Sequence, residues 1–89
     1  MEIILTFYTT RAAIGGEGCL LKAGLKVKAM ALPSALGAGC GLCLRLEKSE
    51  LQRALEILKD AGLEAEGAFS RLVENGRSVY RAVPDNNGV

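Results

Sequence analysis

The chain has 89 residues, 49% of them hydrophobic and 24% charged, with 11 basic and 10 acidic side chains and a net charge of +1. That is one domain's length, with no charge excess to hold a polyanion and, with two Phe, two Tyr and no Trp, no stacking surface for nucleic acid. The absence of histidine excludes the commonest general base and metal ligand, and with them every Cys–His or Ser–His–Asp scheme. No apolar run approaches the ~20 residues of a membrane span, and Met1-Glu2-Ile3-Ile4-Leu5 lacks the basic start of a signal peptide. Three cysteines, an odd count, argue against a secreted disulfide framework and lead us to expect a reducing cytoplasm. Neither a nucleic-acid nor a membrane partner is expected, and no cofactor is implied.

In chain order, Ile3 to Tyr8 is β-branched and aromatic and reads as a strand. Thr9 or Thr10 can cap a helix running to Ala23, stopped by Gly24. Gly15, Gly16 and Gly18 lie inside it, each costing about 1 kcal/mol relative to Ala, so the helix is either weak or packed unusually close to its neighbours. Leu25 to Leu32 alternates Lys26 and Lys28 with apolar residues as a half-exposed strand does, and Pro33 to Gly39 is a loop of small residues. Cys40 to Glu47 is a third strand, with Leu42, Leu44 and Leu46 on one face and Cys43, Arg45 and Glu47 on the other. Ser49 and Gln52 form a capping box for a helix over 49–61, where Leu51, Ala54, Leu55 and Leu58 make one apolar stripe. Leu63 to about Val73 is a fourth strand, and Asn75-Gly76 signals a type I′ turn into an edge strand over 77–83.

A weak repeat supports this order. Leu21-Lys22-Ala23-Gly24-Leu25 and Leu58-Lys59-Asp60-Ala61-Gly62-Leu63 both read as a helix end, a glycine and a following strand. Two such halves give β-α-β-β-α-β. The expected fold is α+β: a ferredoxin-like sandwich with an antiparallel sheet, two helices on one face and an extra C-terminal edge strand. Residues 1–83 are expected to form the single domain and 84–89 a flexible tail.

Cys40-Gly41-Leu42-Cys43 is the one spacing with chemical content. A Cys-x-x-Cys pair can be a redox couple or half of a metal site. In an extended strand its two Cα atoms stand roughly 10 Å apart, too far for a disulfide, which tolerates about 7 Å. The pair can close only if the chain turns at Cys40-Gly41, which Gly39 and Gly41 permit. Cys40, at the mouth of a strand after a glycine-rich loop, has backbone N–H groups nearby that favour a thiolate. Its plainer alternative is a small buried side chain. Cys43 stands beside Arg45, with Lys26 or Lys28 across the sheet, or else is half-buried filler. Cys19 reads as a core residue of the first helix. Ser34 and Gly37-Ala38-Gly39 form an anion cradle or, more simply, a connection.

The segments Leu21 to Val27, Pro33, Gly39-Cys40-Gly41-Leu42-Cys43-Leu44-Arg45-Leu46, Ala61-Gly62-Leu63 and Glu66-Gly67-Ala68-Phe69 resemble the selenium/sulfur carrier family, a small domain of unknown function of type 3343. The likeness spans roughly residues 2–70. Its hallmark is Cys-Gly followed by a small-apolar-Arg strand, and here Cys43 stands where Ala is usual. The resemblance implies Cys40 as the carrier thiol; Cys43 departs from the pattern and is either neutral or a resolving, auxiliary thiol, and Gly39, Gly41 and Arg45 are the candidate binding residues around them. It implies a carrier rather than a turnover enzyme, one that holds sulfur as a persulfide or selenium as a selenenylsulfide. The partners would then be a sulfur or selenium donor protein and an acceptor enzyme, with a homodimer compatible with the open sheet face. Two alternatives stand beside it. A soft-metal, Cu(I)-type module would use Cys-x-x-Cys, although in such domains the pair sits in the first loop, here Tyr8-Thr9-Thr10-Arg11. A regulatory or assembly domain would leave the cysteines incidental.

Overall fold

The computed structural model describes residues 1–37 and 40–83. The expectations for Ala38 and Gly39, and for the tail 84–89, lie outside these residues. The elements follow in the order β1 (Glu2–Thr6), α1 (Thr10–Lys22), β2 (Lys28–Ala31), a 3₁₀ turn (Ser34–Leu36), β3 (Leu42–Glu47), a second 3₁₀ turn (Lys48–Glu50), α2 (Leu51–Asp60), β4 (Gly67–Glu74) and β5 (Arg77–Ala82). The strands form one sheet in the order β2-β3-β1-β4-β5, and every neighbouring pair is antiparallel. This is the ferredoxin-like α+β arrangement with a fifth strand added beside β4.

Both helix ends are built the same way, which is the physical content of the repeat. After α1, Gly24 takes φ +90 while Leu25 N–H reaches Leu20 O (3.0 Å) and Gly24 N–H reaches Leu21 O (3.0 Å). After α2, Gly62 takes φ +74 while Leu63 N–H reaches Leu58 O (2.8 Å) and Gly62 N–H reaches Lys59 O (3.1 Å). Each is a Schellman motif, satisfying the last carbonyls with a left-handed residue that glycine adopts without strain. The β4–β5 hairpin turns through Asn75 (φ 52) and Gly76 (φ 77), both positive as a type I′ turn requires.

Three boundaries differ from the sequence reading. β2 keeps only Lys28–Ala31 of the expected 25–32, because Leu25 is held by the α1 cap; one further bond in the same register, Leu32 N–H to Gly41 O (3.0 Å), follows the strand. β4 begins at Gly67 rather than Leu63, whose N–H closes the cap of α2. Ser49 does not cap α2. It lies inside the 3₁₀ turn, the N-cap is Glu50 without a side-chain cap hydrogen bond, and the turn itself satisfies Leu51 N–H through Lys48 O.

The core lies between the helices and one sheet face. Ile3, Leu5, Phe7, Leu44 and Leu46 pack with Ala13 and Leu20 of α1 and Leu51, Ala54 and Leu58 of α2. Gly16 explains how α1 comes so near. A Cβ there would stand 3.2 Å from Leu58 Cδ2 and 3.3 Å from Phe7 Cζ, so the glycine admits the ring edge that any other residue would crowd. Gly18 faces open space.

Strand alternation sends Ile4, Thr6, Cys43 and Arg45 to the other face. Among the described residues no helix covers it, yet Ile4 and Cys43 are both 0% exposed. In the register Ile4 lies between Arg45 and Phe69, and Cys43 between Thr6 and Met30. Arg45 and Arg71 both reach Glu2, at 3.2 Å and 2.7 Å, forming a charged ladder across three strands. The hydrogen bond to Glu2 pushes the Arg71 guanidinium further above its already high pKa. At the edge of the sheet, Glu17 of α1 accepts the Ala29 N–H of β2 (3.3 Å), and Glu50 accepts the Lys26 N–H just ahead of it (3.4 Å).

Candidate functional site

Residues 40–43 straddle the entry to β3. Gly41 adopts φ +86, a left-handed turn open to glycine, and the strand begins at Leu42. The chain therefore does turn at Cys40-Gly41, but all three cysteines are free thiols. Cys40 is half-buried and packs against the helix-side core together with Leu42. Its thiol donates to Leu42 O (3.3 Å), and its carbonyl accepts the hydroxyl of Thr10, the first residue of α1 (3.1 Å).

Cys43 differs in each respect. It is buried on the helix-free face, and its thiol donates to Ala31 O (3.7 Å). Burial, and to a smaller degree the charge of the neighbouring Cys40, push the Cys43 thiol above the ordinary value. Of the cations expected around it, Arg45 and Lys28 form the next pair along on the same face, and neither stands directly opposite Cys43. Met30, not Lys26 or Lys28, is its partner on β2, while Lys28 faces Arg45.

Arg45 belongs to the ladder with Glu2, two residues beyond Cys43 on that same face, and the structure does not bring it to the Cys40 thiol. Gly41 is brought there, as the hinge beside it. Gly39 lies outside the described residues. Cys19 is half-buried and lines a cleft of about 380 Å³ between the C-terminal ends of the helices, with Lys22, Ala23, Ile57, Asp60 and Ala61. Among the described residues no three Cys, Asp or Glu side chains gather as a metal site would need. Likewise no helix there is long and apolar enough to cross a membrane.

Comparison with known families matches residues 2–70 to the family described as "Putative Se/S carrier protein-like". The chain belongs to this family. The match ends within β4, so β5 lies beyond the region shared with the Se/S carrier family. Comparison with curated proteins and with solved structures found no match.

The contact that the sequence did not reveal is Thr10 to Cys40. Thr9-Thr10 supplies one hydroxyl too many for a single cap. Thr9 takes the cap by accepting Ala12 N–H (3.0 Å), which leaves Thr10 for a partner 30 residues away.

Proposed function

We propose that this protein carries sulfur or selenium on Cys40. The observation that carries the reading is the difference between the two thiols of the motif: Cys40 is half-buried on a glycine turn at a strand mouth, whereas Cys43 is sealed in a sheet face. Membership in the Se/S carrier family supports it. The thiolate of Cys40 attacks the outer sulfur of a donor persulfide. The donor S–S bond breaks, the donor leaves as a thiolate, and Cys40 holds Cys–S–SH. An acceptor enzyme's nucleophile then takes the outer atom and Cys40 returns as a thiolate. Selenium moves by the same exchange as a selenenylsulfide. No general base is needed, since only the thiolate reacts. The partners are a donor and an acceptor protein, the compartment is a reducing cytoplasm, and Cys43 stays protonated and outside the transfer.

The test is intact-protein mass after incubation with a cysteine desulfurase and free cysteine. A reducible gain of one sulfur atom is expected in the wild type and in Cys43→Ser, and none in Cys40→Ser. No gain in the wild type, under conditions that load an established carrier, rejects sulfur as cargo. A gain that survives Cys40→Ser rejects Cys40 as the carrier.

A further inference from the structure

We infer that Thr10 is the positioning residue of the Cys40 thiol, acting through the peptide plane between Cys40 and Gly41; the inference extends the carrier reading. That plane is held by Thr10, and the next one, between Gly41 and Leu42, by Leu32. Thr10 Oγ1 donates to Cys40 O at 3.1 Å, and Leu32 N–H donates to Gly41 O at 3.0 Å. Between these two anchors lies Gly41 at φ +86. Glycine places almost no steric barrier on its φ, so the carbonyl of Cys40 would rotate freely without a partner. Any such rotation moves Cys40 relative to Leu42, whose carbonyl accepts the Cys40 thiol at 3.3 Å.

Thr10 suits this task for a local reason. It is the first residue of α1, its neighbour Thr9 already makes the cap, and a β-branched side chain has few χ1 rotamers in a helix. The hydroxyl is thereby fixed to the capped first turn of α1. The loop that bears Cys40 takes its orientation from α1, which the chain reached 30 residues earlier. In the free protein this keeps the thiol half-buried against the core; on meeting a donor it presents sulfur in one direction.

The experiment compares Thr10→Val, which keeps the shape and loses the hydroxyl, with Thr10→Ser, which keeps the hydroxyl. Alkylation of Cys40 by iodoacetamide is followed by peptide mass, alongside the rate of persulfide loading. Thr10→Val is expected to speed alkylation several-fold, because the unpinned thiol leaves the core, and to slow loading several-fold, because its direction is lost. Thr10→Ser is expected to stay within twofold of wild type in both. Loss of stability alone would not be reversed by serine. Alkylation of Thr10→Val at the wild-type rate overturns the inference, as does equal behaviour of the two variants. If the wild type takes up no sulfur, the carrier reading fails, while the alkylation rates still decide the role of Thr10.

Discussion

The two faces of the sheet exclude water by different means. On the first, Ile3, Leu5, Phe7, Leu44 and Leu46 are covered by two helices, and α1 is drawn in until Gly16 meets the Phe7 ring. On the second, Ile4, Thr6 and Cys43 are buried with no helix among the described residues above them, between partners such as Arg45, Phe69 and Met30 from neighbouring strands. The first cover is rigid, because helices cannot shift without disturbing their whole stripe. The second is made of single side chains with rotamer freedom, whose stems shield the strands while charged heads stay wet. Each thiol of the motif goes with one face, Cys40 with the helix side and Cys43 with the other.

The largest test of this contrast is truncation on either face. Phe7→Ala should cost about 3–5 kcal/mol, because the helices hold the cavity open. Ile4→Ala should cost less, about 2 kcal/mol, because its single-side-chain cover can collapse into the space. Urea unfolding of both variants measures the difference, and equal losses would mean that the helix-free face is as rigid as the covered one. A smaller pair of effects separates the glycines of α1. Gly16→Ala should destabilise by about 1 kcal/mol or more, since overpacking against Phe7 and Leu58 exceeds the helix-propensity gain. Gly18→Ala should stabilise by about 1 kcal/mol, because nothing stands near it. Thermal melts showing the same sign for both would refute the close approach of α1.

The smallest effect at neutral pH concerns Cys43. Its thiol is held above the ordinary value, so the folded state keeps a proton that the unfolded state releases once pH exceeds about 8.5. Its contribution is fully present below that pH and lost as pH rises toward the folded-state pKa. Stability of the wild type should therefore fall more steeply between pH 8.5 and 10 than that of Cys43→Ala, as followed by urea midpoints across about pH 7–10. Parallel curves would show that Cys43 is not shielded by its face.

What was legible in the sequence is local. The Gly24 and Gly62 caps, the Asn75-Gly76 turn and the apolar stripe of α2 are each decided within a few residues, and all formed. What was not legible depends on distant chain. Whether Ser49 caps α2 was settled by a 3₁₀ turn that supplied a backbone acceptor first. The neighbour of Cys43 is settled by the register of β2 against β3, which sets Met30 opposite it and Lys28 opposite Arg45. At the candidate site, the turn at Gly41 followed from glycine itself, while the bond from Thr10 to Cys40 joins residues that only the finished fold brings together.

The carboxylates at β2 carry a consequence for crowding. Exposed strand edges are templates on which sheets join. One edge of this sheet has backbone donors occupied by Glu17 and Glu50, whereas among the described residues no side chain accepts an N–H of β5 at the other. A strand approaching the β2 edge would therefore meet a donor at Ala29 already bonded to a carboxylate, so sheet extension is obstructed there and not along β5.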